Sequence, residues 1–177
     1  GLASTDTMNE VISYTYIGTA IGAINAGTYT INMEYTASTK ANNYNIVING
    51  SQLKINPKAI TLVWDNVTSF EYDGNEHNIR VKDIIGAVDG ESSALLSSFT
   101  YNENQVNAGS YTMTASFTNG NYVVTDGSSS CRFKITQKTL LISTANKEKT
   151  YDGSVFSGFT YNVTGLATTD TFDQMYL

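Results

Sequence analysis

Apolar and polar residues alternate with a period of two along most of this chain. Tyr29, Ile31, Met33 and Tyr35 are separated by Thr30, Asn32 and Glu34. Tyr111, Met113, Ala115 and Phe117 are separated by Thr112, Thr114 and Ser116. Ile60, Leu62 and Trp64 alternate with Thr61, Val63 and Asp65, and Leu140 and Ile142 with Leu141 and Ser143. Cys131, Phe133 and Ile135 form a further row, with Arg132 and Lys134 on the opposite side. Successive side chains of an extended chain point to opposite faces, so each row predicts a half-buried strand. Ile79, Val81 and Ile84 predict another strand, and Tyr122-Val123-Val124 a short one. Turns are marked by Asp73-Gly74, Asp89-Gly90, Ala108-Gly109, Asn119-Gly120 and Asp126-Gly127. No amphipathic helix of useful length is visible; residues 90–98 have room for one helical turn.

The pattern also returns on itself. Gly1-Leu2-Ala3-Ser4-Thr5-Asp6-Thr7 reappears as Gly165-Leu166-Ala167-Thr168-Thr169-Asp170-Thr171, with an intermediate phase at Gly86-Ala87-Val88. Asn25-Ala26-Gly27-Thr28-Tyr29-Thr30 reappears as Asn107-Ala108-Gly109-Ser110-Tyr111-Thr112. Asn43-Tyr44 matches Asn121-Tyr122, Leu53-Lys54-Ile55 matches Phe133-Lys134-Ile135, and Tyr72-Asp73-Gly74 matches Tyr151-Asp152-Gly153. A period near 80 residues predicts an array of modules with one fold. Residues 1–58 then hold the later part of a module, 59–138 a complete one, and 139–177 the early part of a third. The alternative is a boundary at Gly86, giving two permuted units, 1–85 and 86–164. Six or seven short strands per module predict an all-β fold of tandem Ig-like β-sandwiches, with β-grasp-like modules as the alternative. Residues 130–145 contain neither Gly nor Pro, so one module's last strand is expected to run directly into the next module's first.

Composition narrows the function. Only 15% of residues are charged and 41% are hydrophobic, which is the balance of a folded chain. The net charge of −6, without a basic cluster, argues against nucleic acid and anionic membrane surfaces as partners. No apolar run approaches the ~18 residues of a membrane span, so no membrane insertion is expected. Cys131 is the only cysteine, which excludes a disulfide framework.

Candidate chemistry is sparse. His77 is the only histidine and reads as a surface residue, so no Ser-His-Asp or Cys-His set is expected and no catalytic residue is assigned. Cys131 reads as an inward, inert thiol. No cofactor is expected, and neither zinc spacing nor an EF-hand loop is present. Asp73, Asp89, Glu91, Asp126, Asp170 and Asp173 lie near turns and read as solvated carboxylates rather than calcium ligands. Lys82 is a candidate for a Lys–Asn crosslink without an assignable acid. Asp73 and Asp152 are expected to accept backbone N–H groups two residues on. Tyr29 and Tyr111, each after an Ala-Gly turn, have the setting of a tyrosine corner, in which the hydroxyl caps a loop carbonyl. Tyr29, Tyr44, Tyr72, Tyr111, Tyr122 and Tyr151 recur at repeat positions and are expected in the core. Tyr14, Tyr16, Tyr101 and Tyr161 are less committed and are the candidate ligand-binding residues, because aromatic faces stack on sugars.

Tyr72-Asp73-Gly74, Ala108-Gly109-Ser110-Tyr111, Gly120-Asn121-Tyr122 and the joint from Ile135 to Lys138 together resemble the bacterial MBG-type Ig-like tandem repeats. The resemblance covers almost the whole chain; one departure is that Asn42, not Gly, precedes Asn43-Tyr44. It implies a segment of a secreted or wall-attached adhesin or other large surface protein, outside the bacterial cell, and no catalytic residues. The expected role is a spacer or stalk that projects a distal binding domain. The alternative is a module that binds a host glycan, mucin or matrix protein, with the longer loops 16–25 and 35–43 as its site. The two flanking partial modules are complementary, so head-to-tail self-association between copies by strand addition is a further expectation.

Overall fold

A computed structural model describes residues 1–171 of the 177. In chain order the elements are α1 (Met8–Val11), β1 (Ile12–Ile17), β2 (Gly27–Ala37), β3 (Ser51–Ile55), β4 (Lys58–Trp64), β5 (Ser69–Glu71) and β6 (Val81–Ile85). Then come α2 (Ser92–Ser98), β7 (Thr100–Tyr101), β8 (Gly109–Ser116), β9 (Tyr122–Val124), β10 (Ser130–Thr136), β11 (Leu141–Thr144) and β12 (Tyr161–Thr164). The described chain is thus all-β in character, with several small sheets and little helix. It divides into two compact units: Gly1–Ile60 with Thr118–Val123, and Thr61–Phe117 with the residues from Val124 onward.

In the first unit β1, β2 and β3 form an antiparallel sheet in that order. The single turn α1 starts where Thr7 N–H donates to the Glu10 carboxylate at 2.8 Å, the side-chain closure that satisfies an otherwise orphaned amide. Val11, Ile12 and Ala41 are buried together against Tyr44 and Ile46. Asn121 fastens into the same unit: its Oδ1 accepts from Ala26 N at 2.7 Å and its carbonyl from Lys58 N at 2.8 Å.

The second unit holds the main core. β5, β10, β8 and β7 form one sheet in that order, with β10 parallel to β5 and antiparallel to β8. Met113, Phe133 and Ile135 are buried on its inner face with Ile79, and Trp64, Phe70, Tyr72, Tyr101, Tyr111 and Cys131 pack around them. β4 pairs with β6, and Trp64 Nε1 donates to Ser128 O at 2.8 Å, so the indole packs half-buried against the core without orphaning its N–H. Residues 90–98 form more than the expected single turn: α2 runs for seven residues and buries Leu95. β11 and β12 pair as a separate two-stranded ribbon in this unit.

The internal match extends to strand pairing. β2 sets Tyr29 opposite Leu53, as β8 sets Tyr111 opposite Phe133. β1 sets Tyr16 opposite Met33, as β7 sets Tyr101 opposite Ala115. β11 sets Ile142 opposite Val163, as β4 sets Leu62 opposite Ile84. These are the same registers at matching sequence positions. A one-residue slip would turn every inward side chain to the other face, so identical register carries identical inward rows.

Candidate functional site

The recurring landmarks resolve into specific bonds. Tyr29 Oη donates to Asn25 O and Tyr111 Oη to Asn107 O, both at 2.7 Å, which are the tyrosine corners expected from the Ala-Gly-Thr/Ser-Tyr steps. Gly109 has an ordinary backbone; a Cβ there would lie 2.9 Å from the Tyr111 hydroxyl, so this glycine makes room for the ring. Gly27 stands in the same relation to Tyr29. Asp73 Oδ1 accepts from Asn75 N and Asp152 Oδ1 from Ser154 N, each at 2.9 Å. Those bonds hold both carboxyls below the usual carboxylate range. For Asp73 the Asn75 N–H is the largest cause; for Asp152, carried down to about 2, it is the ammonium of Lys149.

A second recurrence was not legible. Residues 3–6 and 167–170 make the same turn, Asp6 N donating to Ala3 O and Asp170 N to Ala167 O. Each turn presents its aspartate to a tyrosine hydroxyl. Tyr44 Oη donates to Asp6 Oδ2 at 2.7 Å, and Tyr72 Oη lies 2.9 Å from both Asp170 oxygens. The two tyrosines occupy different repeat positions: Tyr44 follows its aspartate, whereas Tyr72 precedes its own by 98 residues. Lys40 Nζ adds an ion pair to Asp6 at 3.0 Å. The Tyr44 hydroxyl, then Lys40, lowers the Asp6 pKa, and donation to Asp170 raises that of Tyr72. Beside Tyr72, Gly74 has φ +82°, and a Cβ there would overlap Thr169 Oγ1. The duplicated Leu-Ala-x-Thr-Asp stretch was the available signal; its tyrosine partners were hidden because they sit at unequal spacing.

The candidate ligand-binding tyrosines do not gather in one place. Tyr14 and Tyr16 lie on β1 with ring centroids 5.8 Å apart, edge to face, and Tyr14 stands opposite Tyr35. They are exposed on the same sheet face as Tyr29, Ile31 and Met33. Tyr101 is half-buried instead: it packs edge-on to Trp64 and carries the Arg80 guanidinium 4.4 Å above its ring. Tyr161 is exposed on β12.

Two expectations need correction. His77 is not a surface residue; its ring stacks on Phe70 at 4.6 Å and donates from Nε2 to Asp73 Oδ1 at 2.9 Å. An imidazole with an apolar neighbour and an anchored N–H suits the rim of a core. Tyr151, expected in the core with Tyr72, is 94% exposed, because the residues that surround Tyr72 have no counterpart around it. Cys131 is only partly buried at the edge of the core. Lys82 Nζ does find an asparagine, Asn66 Oδ1 at 2.7 Å, as an exposed surface hydrogen bond. Asp89, Glu91 and Asp126 lie in turns, and Asp173 lies outside the described residues. Among the described residues no three His, Cys, Asp or Glu side chains converge on one point. No helix of the described residues is long and apolar enough to cross a membrane. No family model, curated protein or solved structure matches this chain.

Proposed function

We propose that this chain is a load-bearing spacer of tandem Ig-like β-sandwich modules, of the kind its repeat motifs resemble, in an extracellular bacterial surface protein. Its task is to hold a distal binding domain away from the envelope. The observation that carries the reading is the bond from Tyr72 to Asp170, with Thr169 seated over Gly74. It ties residues of the complete repeat to residues of the next beside the covalent joint at 137–140, since Tyr72 N–H also donates to Thr136 O at 2.9 Å. A tie across the joint holds it in one arrangement; a bare peptide connection does not. The joint itself is short, β10 ending at Thr136 and β11 starting at Leu141.

The test is single-molecule pulling of the full chain beside its Tyr72→Phe variant. The spacer reading expects the 139–170 segment to detach at measurable force in the parent chain and at markedly lower force in the variant, while the main core ruptures unchanged. Identical traces would overturn it.

One observation favours a second reading. The exposed Tyr14–Tyr16 pair offers two ring faces at right angles, a shape suited to a sugar ring. A glycan, mucin and matrix-protein array tests it. A saturable ligand lost in Tyr14→Ala/Tyr16→Ala would make the first unit a binding module.

A further inference from the structure

The outward face of the β5–β10–β8 sheet carries charges that the core beneath it does not need. Arg132 and Lys134 are two residues apart on β10, so both project from the same side, roughly 6.6 Å apart along the strand. Both are exposed. Among the described residues neither side chain is ion-paired, whereas Lys40, Lys138 and Lys149 each hold a carboxylate. Glu71 shares the face, beyond Ser69 on β5, but Lys138 Nζ takes it at 3.4 Å. Two neighbouring cations repel each other, and a chain of net charge −6 has acids to spare for neutralising them.

The surroundings are hydroxyls. The strand registers set Ser69 and Ser110 on either side of Lys134, and Thr112 beside Arg132. With Thr68 these side chains line an open groove of about 540 Å³, within the size range of small-ligand sites. The strands that carry them are held from below by Met113, Phe133 and Ile135 of the main core, so the polar groups stand on a fixed platform. The repeat framework does not account for the pair. The matching strand β3 has Lys54 where β10 has Lys134, but Gln52 where β10 has Arg132, and Gln52 faces Thr30 as Arg132 faces Thr112. A side chain needed to build the sheet would recur; Arg132 does not.

We propose that this face binds an acidic glycan. One anionic group of the sugar, a sulfate or a carboxylate, sits between Arg132 and Lys134, and neighbouring sugar hydroxyls bond Ser69, Ser110 and Thr112. Arg132 supplies a rigid fork of donors and Lys134 a point charge. Serine and threonine hydroxyls both donate and accept, as sugar hydroxyls do. Two cations with no aromatic side chain among the groove's outward residues suit a sparsely charged sugar chain. Nucleic acid draws instead on many cations and on rings that stack with bases. The site rests on neither the spacer reading nor the Tyr14–Tyr16 pair.

Isothermal titration of the full chain with chondroitin sulfate, hyaluronan and neutral dextran tests it. Saturable binding to at least one of the two acidic glycans is expected, with none to dextran, and it should weaken as sodium chloride is raised because exposed charges are screened. Arg132→Gln, a change to the amino acid that β3 carries at the matching position, and Lys134→Gln should each weaken binding roughly tenfold or more. Both positions are exposed, so circular dichroism and the melt should stay as in the parent. Thr112→Val should weaken binding several-fold, a loss that attraction between charges alone does not produce. Tyr14→Ala/Tyr16→Ala should leave binding unchanged. Binding of chondroitin sulfate without hyaluronan would support the site and assign the anionic group as sulfate; equal binding would support it with a carboxylate as sufficient. Failure to bind either acidic glycan overturns the proposal. So does an Arg132→Gln/Lys134→Gln double variant that binds like the parent, or single-stranded DNA that binds as tightly as the glycans.

Discussion

At the residue scale, the side chains that recur do so because each closes a bond that the fold cannot leave open. The Tyr111 hydroxyl caps the Asn107 carbonyl, and Tyr111→Phe should cost about 1 kcal/mol in denaturant unfolding. Met113, fully buried, is a different case. Met113→Ala should cost about 2–5 kcal/mol, because the sulfur and its methylenes leave a cavity that its neighbours fill only in part. The carboxylates set the acid limit. Asp6, Glu10, Asp73 and Asp152 are all held below their ordinary values. A carboxylate depressed in the fold stabilises it above the unfolded pKa, and that contribution is lost as pH falls through the folded value. Melting temperature should therefore hold steady from pH 7 to 5 and fall from about 4 toward about 2. Asp6→Asn should make the fall shallower. Roles that depend on neighbours close in sequence were legible here: the tyrosine corners and the Asp73 and Asp152 turns follow from local spacing. The place of His77 was not, since its partner ring, Phe70, carries no sequence mark.

At the scale of elements, the inward rows were legible because a period of two leaves no choice of face. Ile60, Leu62, Met113, Ala115, Phe133 and Ile135 are all buried, each in its expected row. The length of α2 was less visible, since residues 90–98 are mostly small and polar and only Leu95 is buried to mark a helix face. The docking of the 167–170 turn on the Tyr72 loop depends on one glycine. Gly74→Ala forces a side chain into a left-handed conformation at about 1–3 kcal/mol and drives its methyl into Thr169. Limited proteolysis should then cut residues 139–164 faster, while hydrogen exchange at Met113 and Phe133 stays slow. Equal cutting of parent and variant would show that the turn is held elsewhere.

At the scale of the molecule, the all-β character and the strand pairings could be read from sequence because both are periodic. The Asp–Tyr contacts could not, because each joins residues 38 or more apart and the two copies take their tyrosines from different places. The matching registers of β1–β2–β3 with β7–β8–β10, and of β11–β12 with β4–β6, also bear on heredity. A duplication or deletion that joins matching positions of two repeats leaves each strand facing the partner it would have had before. Removing 59–138, so that Lys58 is followed by Thr139, should still give a chain with strand-rich circular dichroism and a cooperative melt; an unfolded product would refute this. Recombination between repeats can then lengthen or shorten the array without breaking a single sheet, and repeat number becomes a trait that selection can tune.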